Sequence, residues 1–265
     1  MEMEKLSLPS GKLPPKDLYH YTSIDGVKGI LGENCLWASQ IHFLNDTQEF
    51  KYSISILDKV LAELQKELPE KKEMGWWSLA IKLTEEPPPP ISDPNTVLSV
   101  LYGTLQRLFL IPAFAKSPIC VFSLSEEGDL LSQWRGYSPS GGGYSIGFRS
   151  DSLIKFLETR ELYLAPCIYD EAEQRTVVKE TVTKVCDTIL KRWPGGGVEG
   201  DRVDEFIQED LLQFLIDFSR IASGLKHPSF HQENEWRIIS SLVLNQNMSF
   251  RVRKFYDASL FLNLF

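Results

Sequence analysis

The pattern of apolar and polar positions changes period several times along this chain, and each change predicts an element. "LYHYT" (18–22) has strand composition. Thr22, with Asp25 three residues on, then reads as a capping box opening a short helix, "IDGVKGIL", that stops at Gly32. "LWAS" is short and strand-like. Asp46 with Glu49 repeats the capping pattern ahead of a longer helix, whose apolar residues Phe50, Ile54, Leu57, Val60, Leu61 and Leu64 recur at helical spacing. The proline run in "EEPPPPISDP" (85–94) cannot be helical and predicts an exposed loop or linker, followed by a buried helix over 97–115.

The second half alternates more quickly. "PICVFSLS" predicts an inner strand, "EEGDLLSQWRGY" a helix of one to two turns, "SPSGGG" a flexible loop, and "YSIGF" and "ELYLAPCIYD" two further strands. Two amphipathic helices, "EAEQRTVVKETVTKVCDTILKRW" and "DEFIQEDLLQFLIDFSRIA", are separated by the breaker "PGGGVEG". "EWRIISSLVL", "MSFRVRK" and "SLFLNLF" are strand-rich. Strands towards both ends enclose helical stretches. The expected architecture is therefore one α+β domain over 17–265 with a mixed or antiparallel sheet core, after a loose lead-in over 1–16.

Composition narrows the function classes. With 265 residues, 43% of them hydrophobic, the chain can bury a proper core. A net charge of −8 with no basic run gives no stripe for a phosphate backbone. Cys35, Cys120, Cys167 and Cys186 lack the tight spacing of a zinc cluster and predict reduced thiols in the cytosol. "LQRLFLIPAF" is interrupted by Arg107 and Pro112 and is too short to span a bilayer, and the first residues lack the apolar core of a signal peptide. The expectation is a soluble, cytoplasmic protein with no membrane partner.

Three clusters carry candidate chemistry. In His20–Tyr21–Thr22, strand alternation puts His20 and Thr22 on one face and Tyr21 on the other. A neutral imidazole there can bond a sugar hydroxyl, or it can be a core histidine satisfied by main chain, with Thr22 a helix cap. In "SLSEEGDLLSQWRGYSPSGGGYSIGF" (123–148), Trp134, Tyr137 and Tyr144 offer flat faces for a base and Arg135 a fork for phosphate. The same Trp134 also fits the buried side of a short helix. In "HQENEWRIIS" (231–240), an extended backbone puts Glu233, Glu235 and Arg237 on one face. Paired carboxylates suit stabilisation of an oxocarbenium-like centre, while an ion pair between Arg237 and a glutamate on a solvated strand explains the same residues structurally. Asn45, Asp46 and Glu49 are accounted for by helix capping. His42, His227 and His231 show no metal-ligand spacing, and Ser123 and Ser125 lack a GxSxG elbow.

The blocks "LYHYTSIDGVKGIL…LWAS…FLNDTQEF", "FSLSEEGDLLSQWRGYSPSGGGYSIGF" and "ENEWRI" together resemble a widespread bacterial family known as a domain of unknown function, from about residue 18 to 243. "LYHYTSIDGVKGIL" is also similar to the opening of ADP-ribosyltransferase-like domains, especially the DNA-modifying toxin branch. That resemblance implies an ADP-ribosyltransferase-like sheet core with NAD+ as substrate and no metal. His20 would hold ribose with help from Thr22, Tyr21 would be among the cofactor-binding residues, and Tyr137 or Tyr144 would face nicotinamide. Glu235 would be the catalytic carboxylate, Glu233 would complete an E-x-E pair, and Trp134, Arg135 and Arg237 would line the site. The interval from His20 to Glu235 then requires the helices of 50–116 and 171–223 to be insertions. The acceptor would be a protein side chain, a nucleic-acid base or water, in a toxin or antiphage-defence setting. Two other readings use the same residues: a nucleotide-binding or partner-sensing module without turnover, and a metal-dependent nuclease built on His20, Asp46 and Glu235.

Overall fold

The structure is a computed structural model that describes residues 12–33, 36–41, 48–68, 93–108, 119–137, 142–158, 162–194, 197–198, 202–240 and 260–263. The proline run at 85–92, "MSFRVRK", most of the "SPSGGG" loop, and His42, Asn45 and Asp46 lie outside those residues. The chain divides into two compact units. One comprises 1–52, 118–171 and 220–265, the other 53–117 and 172–219.

The first unit is α+β. Its strands are β1 (Asp17–Thr22), β2 (Ser39–Gln40), β3 (Cys120–Ser125), β4 (Tyr144–Arg149), β5 (Tyr163–Pro166), β6 (Glu235–Ile239) and β7 (Leu260–Asn263). They form one sheet in the order β5-β6-β3-β1-β4-β7, with β2 also pairing β3. Every ladder among these described strands is antiparallel, one of the two arrangements expected. Helices α1 (Ile24–Glu33) and α5 (Ser150–Glu158) bury Val27, Ile30, Leu153 and Leu157 with Leu18, Phe122, Phe148, Trp236 and Ile238 in one apolar cluster. Alternation along the strands accounts for this face. Leu18, Phe122, Leu124, Trp236 and Ile238 point into the cluster, and the intervening positions point to the opposite face.

That opposite face is polar. Its strand positions include Tyr21, Ser123, Ser125, Glu235 and Arg237, and the short helix α4 (Leu131–Tyr137) lies against β1. Tyr21 is buried. Its hydroxyl donates to the Glu127 carbonyl at 2.6 Å and accepts from the Leu130 N–H at 2.8 Å, while Trp134 meets its ring edge-on at 4.8 Å. Tyr21 therefore anchors the turn that leads into α4.

Helix starts differ in detail from the sequence pattern. The Ser23 hydroxyl, not Thr22, accepts from the Gly26 N–H at 3.3 Å and caps α1. Thr22 instead sits so close to Gly26 that a Cβ on that glycine would lie 2.0 Å from its hydroxyl oxygen.

The second unit is helical in its described residues. It holds α2 (Gln48–Glu67) from Ser53 on, α3 (Pro94–Leu108), α6 (Glu171–Arg192) from Ala172, and α7 (Val203–Ala222) up to Ser219. Asp93 caps α3 by accepting from the Thr96 N–H at 2.9 Å, and Pro94 occupies the first helical position, where no N–H is needed. The predicted helix over 97–115 thus begins three residues earlier. Arg175–Glu63 at 2.7 Å and Lys179–Glu67 at 3.2 Å link α6 to α2, and Arg192 pairs with Asp210 of α7.

Tyr21→Phe removes both hydroxyl bonds and leaves the Leu130 N–H unsatisfied. The expected loss is about 1 kcal/mol in urea denaturation, the usual net worth of a hydrogen bond, because that N–H is only partly buried and water recovers part of its solvation.

Candidate functional site

The site begins with a charged residue on a central strand. Strand β6 pairs with β3 on one side and β5 on the other, and all five of its residues are buried. Arg237 nevertheless sits there with 2% of its surface exposed. Its cross-strand neighbours are Ser123 and Ala165, small residues that leave room for a guanidinium. Three groups receive its N–H bonds. Nε donates to Glu235 Oε1 at 2.7 Å, and Nη1 to the Ser223 carbonyl at 2.7 Å. Nη2 donates to Glu49 Oε2 at 2.7 Å and to Glu235 Oε2 at 3.1 Å.

Lys226 completes the cluster. Its main chain is fixed where Ile168 donates to the Gly224 carbonyl at 2.8 Å and accepts from the Lys226 N–H at 3.1 Å. Its ammonium donates to Glu235 Oε2 at 2.5 Å and Glu233 Oε2 at 2.6 Å, and lies 3.6 Å from Glu49 Oε1. Three carboxylates against two cations leave the cluster with one net negative charge.

Burial alone would raise the carboxyl pKa of Glu235, but the charges and hydrogen bonds of Arg237 and Lys226 prevail and hold it down at about 2. Lys226 is driven the opposite way. Desolvation opposes its charge, yet Glu235 and Glu49 carry its pKa well above the ordinary lysine range. Burial pushes the neighbouring Cys167 thiol far up, so it stays protonated.

These groups form the floor of a cleft of about 660 Å³ in the first unit. Trp37, Tyr137 and Phe230 also line it; Trp37 is 59% exposed and Tyr137 43%. Partial burial, then the Glu235 and Glu233 carboxylates, raise the pKa of the Tyr137 phenol.

His20 reaches the same cleft from the other side of a split in the sheet. β1 pairs with β3 only at Tyr19–Ser125, while β2 pairs at Ser39–Val121 and Gln40–Cys120. Between them the Ser123 carbonyl accepts from His20 Nδ1 at 2.9 Å, and the imidazole stacks on Phe122 at 4.2 Å. With Nδ1 donating, the neutral ring presents an Nε2 lone pair. Burial outweighs the Ser123 bond and lowers the His20 pKa to about 4, so the ring is neutral at pH 7.

Five of the residues singled out in the sequence therefore meet: His20, Tyr137, Glu233, Glu235 and Arg237. Tyr21 adjoins them, lining a small cavity of about 30 Å³ with His20, Tyr137, Glu233 and Glu235, but its hydroxyl is committed to main chain. The others lie outside the cleft lining: Trp134 Nε1 donates to Asp129 at 2.7 Å. Arg135 is exposed on the last turn of α4 and does not line the cleft. Thr22 and Tyr144 pair with each other in the β1–β4 ladder, and the Tyr144 ring packs on the apolar cluster. The ion pair of Arg237 with a glutamate exists, but in the interior rather than on a solvated strand.

Two members of the site were not legible as such. Glu49, read as a helix cap, turns inward to Arg237. Lys226 carried one signal, a lone cation among the small and apolar residues of "IASGLKHPSF". Among the described residues no group of three His, Cys, Asp or Glu is disposed to hold a metal ion. No described helix is long and apolar enough to cross a membrane.

Residues 133–238 match a family described as a protein of unknown function (DUF2971), a stretch that takes in most of α4, then β4, α5, β5, α6, α7 and most of β6. No curated protein and no solved structure matches the chain.

Two predictions come from this electrostatics. Arg237→Met leaves Glu235 and Glu49 short of a buried counter-charge, with an expected cost of about 3–5 kcal/mol in chemical denaturation. Acid should destabilise the fold in two stages. His20 has its pKa lowered from 6.5 to about 4, so the stability it contributes is complete above pH 6.5 and is lost as pH falls towards 4. Glu235, lowered from 4.5 to about 2, adds a second loss as pH falls from 4.5 towards 2. Thermal unfolding of His20→Asn across this range should lack the first stage and keep the second.

Proposed function

We propose that the cleft binds NAD+ and breaks its nicotinamide–ribose bond, in the manner of an ADP-ribosyltransferase-like enzyme. The observation that carries this reading is the meeting of His20 with the Glu233–Glu235 pair in one sugar-sized cleft, although they lie at opposite ends of the first unit's sequence. A volume of 660 Å³ lies within the range of about 300–1,000 Å³ typical of small-molecule sites.

Each group has a role in that reaction. The His20 Nε2 lone pair accepts a ribose hydroxyl, and the Tyr137 ring stacks on the planar base. As the bond from C1′ to the nicotinamide nitrogen breaks, its electron pair leaves with nicotinamide and positive charge grows on C1′. The excess negative charge of the floor favours that state over the ground state, with Glu235 held ionised by its two cations. A lone pair of the acceptor then closes on C1′, and a carboxylate such as Glu233 takes the acceptor's proton. The acceptor is a protein side chain, a nucleic-acid base or water, which suits a toxin or antiphage-defence setting. Arg135 lies outside the cleft lining and takes no part in this reading.

One observation favours a second reading, a nucleotide-binding module without turnover. Both oxygens of Glu235 accept bonds from Arg237 and Lys226, leaving about one of the carboxylate's four lone pairs for a hydroxyl.

Incubation of the purified protein with NAD+ decides between them. The expected result is release of free nicotinamide, reduced about 10²–10³-fold in Glu235→Gln. Saturable NAD+ binding with no release establishes the binding module, and neither binding nor release overturns both readings.

A further inference from the structure

We propose that Lys226 is the positioning residue of this cleft: its ammonium ties the Glu233 carboxylate to that of Glu235 and so holds the second oxygen of Glu233 where a bound ligand meets it. The inference deepens the NAD+ reading, which supplies its rate measurement, and it also has a readout that does not need NAD+.

The geometry comes from three separate supports. Glu233 is not part of the sheet. It ends a 3₁₀ helix (Pro228–Glu233), and Asn234 follows with φ at +43°, a left-handed turn that separates Glu233 from the first residue of β6. The Glu233 backbone carbonyl is held by the Ser125 hydroxyl at 2.9 Å, but its side chain is directed by Lys226, at 2.6 Å. Lys226 is itself held at both ends. Its main chain is fastened beside Ile168, its ammonium bonds Glu235 at 2.5 Å, and the Phe230 ring covers it at 5.3 Å. The lysine is therefore a fixed post, and Glu233 leans on it through one oxygen.

Charge gives the post a second effect. Glu49, Glu233 and Glu235 all approach the one ammonium, so it occupies the point at which their mutual repulsion would otherwise be greatest. Without it, the Arg237 guanidinium alone serves Glu49 and Glu235, and Glu233 loses the ammonium it pairs with. Glu233, which is the most exposed of the three and has 20% of its side-chain surface accessible, is the one able to swing away. A carboxylate displaced by about 1 Å from a reacting centre can cost about 10²-fold in rate with little change in affinity.

The test uses the full chain with NAD+, in Lys226→Met, Lys226→Arg, Glu233→Gln and the double variant Lys226→Met/Glu233→Gln. Lys226→Met should lower kcat for nicotinamide release about 10²-fold while KM stays close to wild type. Lys226→Arg should recover part of that loss by restoring the charge. The double variant should regain thermal stability, since like charges are removed, without regaining rate. Wild-type kcat in Lys226→Met, or recovery of both stability and rate in the double variant, overturns the proposal.

If Lys226→Met does not fold, Lys226→Arg and the double variant carry the comparison. If wild type releases no nicotinamide, the catalytic reading fails on its own. Lys226 is then judged by the double-mutant cycle on thermal stability at neutral pH. Strongly non-additive effects of the Lys226 and Glu233 substitutions uphold the tether, and additive effects overturn it.

Discussion

A guanidinium buried on a central strand is the constraint that the rest of the first unit accommodates. Arg237 cannot shed its charge, and taking it out of water costs several kcal/mol unless its donors are met. They are met by groups remote in sequence: Glu49 at the start of α2, the Ser223 carbonyl in the turn after α7, and Glu235 on its own strand. Each bond fixes one approach to the cleft. An ion cluster of this kind is weak evidence for stability, because apolar residues of similar volume often do as well. Its consequence is positional, since it fixes ionised carboxylates at the floor of a cavity.

The sheet adds the opening through which that floor is reached. β3 has one neighbour along its full length on the β6 side, but its other edge is shared between the ends of β1 and β2. The gap exposes the Ser123 carbonyl, and His20 turns into it to donate its Nδ1 proton. The same hydrogen bond that satisfies the strand edge also sets the tautomer and aims Nε2. His20 is thus a histidine satisfied by main chain and a cleft residue at once, and the two readings of it in the sequence are compatible.

Much of this was legible because it is local. Alternation in "LYHYT", "CVFSLS" and "EWRII" marks strands whose even and odd positions separate an apolar face from a polar one, and Glu235 and Arg237 fall on one face by spacing alone. Helices α2, α6 and α7 follow from 3.6-residue periodicity. The errors are local as well. Thr22 and Ser23 are both good caps, and choosing between them depends on where β1 ends. Trp134 and Tyr137 lie one turn apart on a seven-residue helix, yet only Tyr137 faces the cleft, because Trp134 is taken by Asp129 and Tyr21.

The sequence by itself determined the elements, the polar face of β6 and the candidate histidine and carboxylates, because these depend on periodicity and residue chemistry within a few positions. Only the tertiary structure decided that Glu49 turns inward, that Lys226 stands among three carboxylates, and that the sheet divides at Ser123 to admit His20. Those facts are set by the balance between burying charge and pairing it. That balance exists only once chain segments far apart in sequence have been brought within hydrogen-bonding distance.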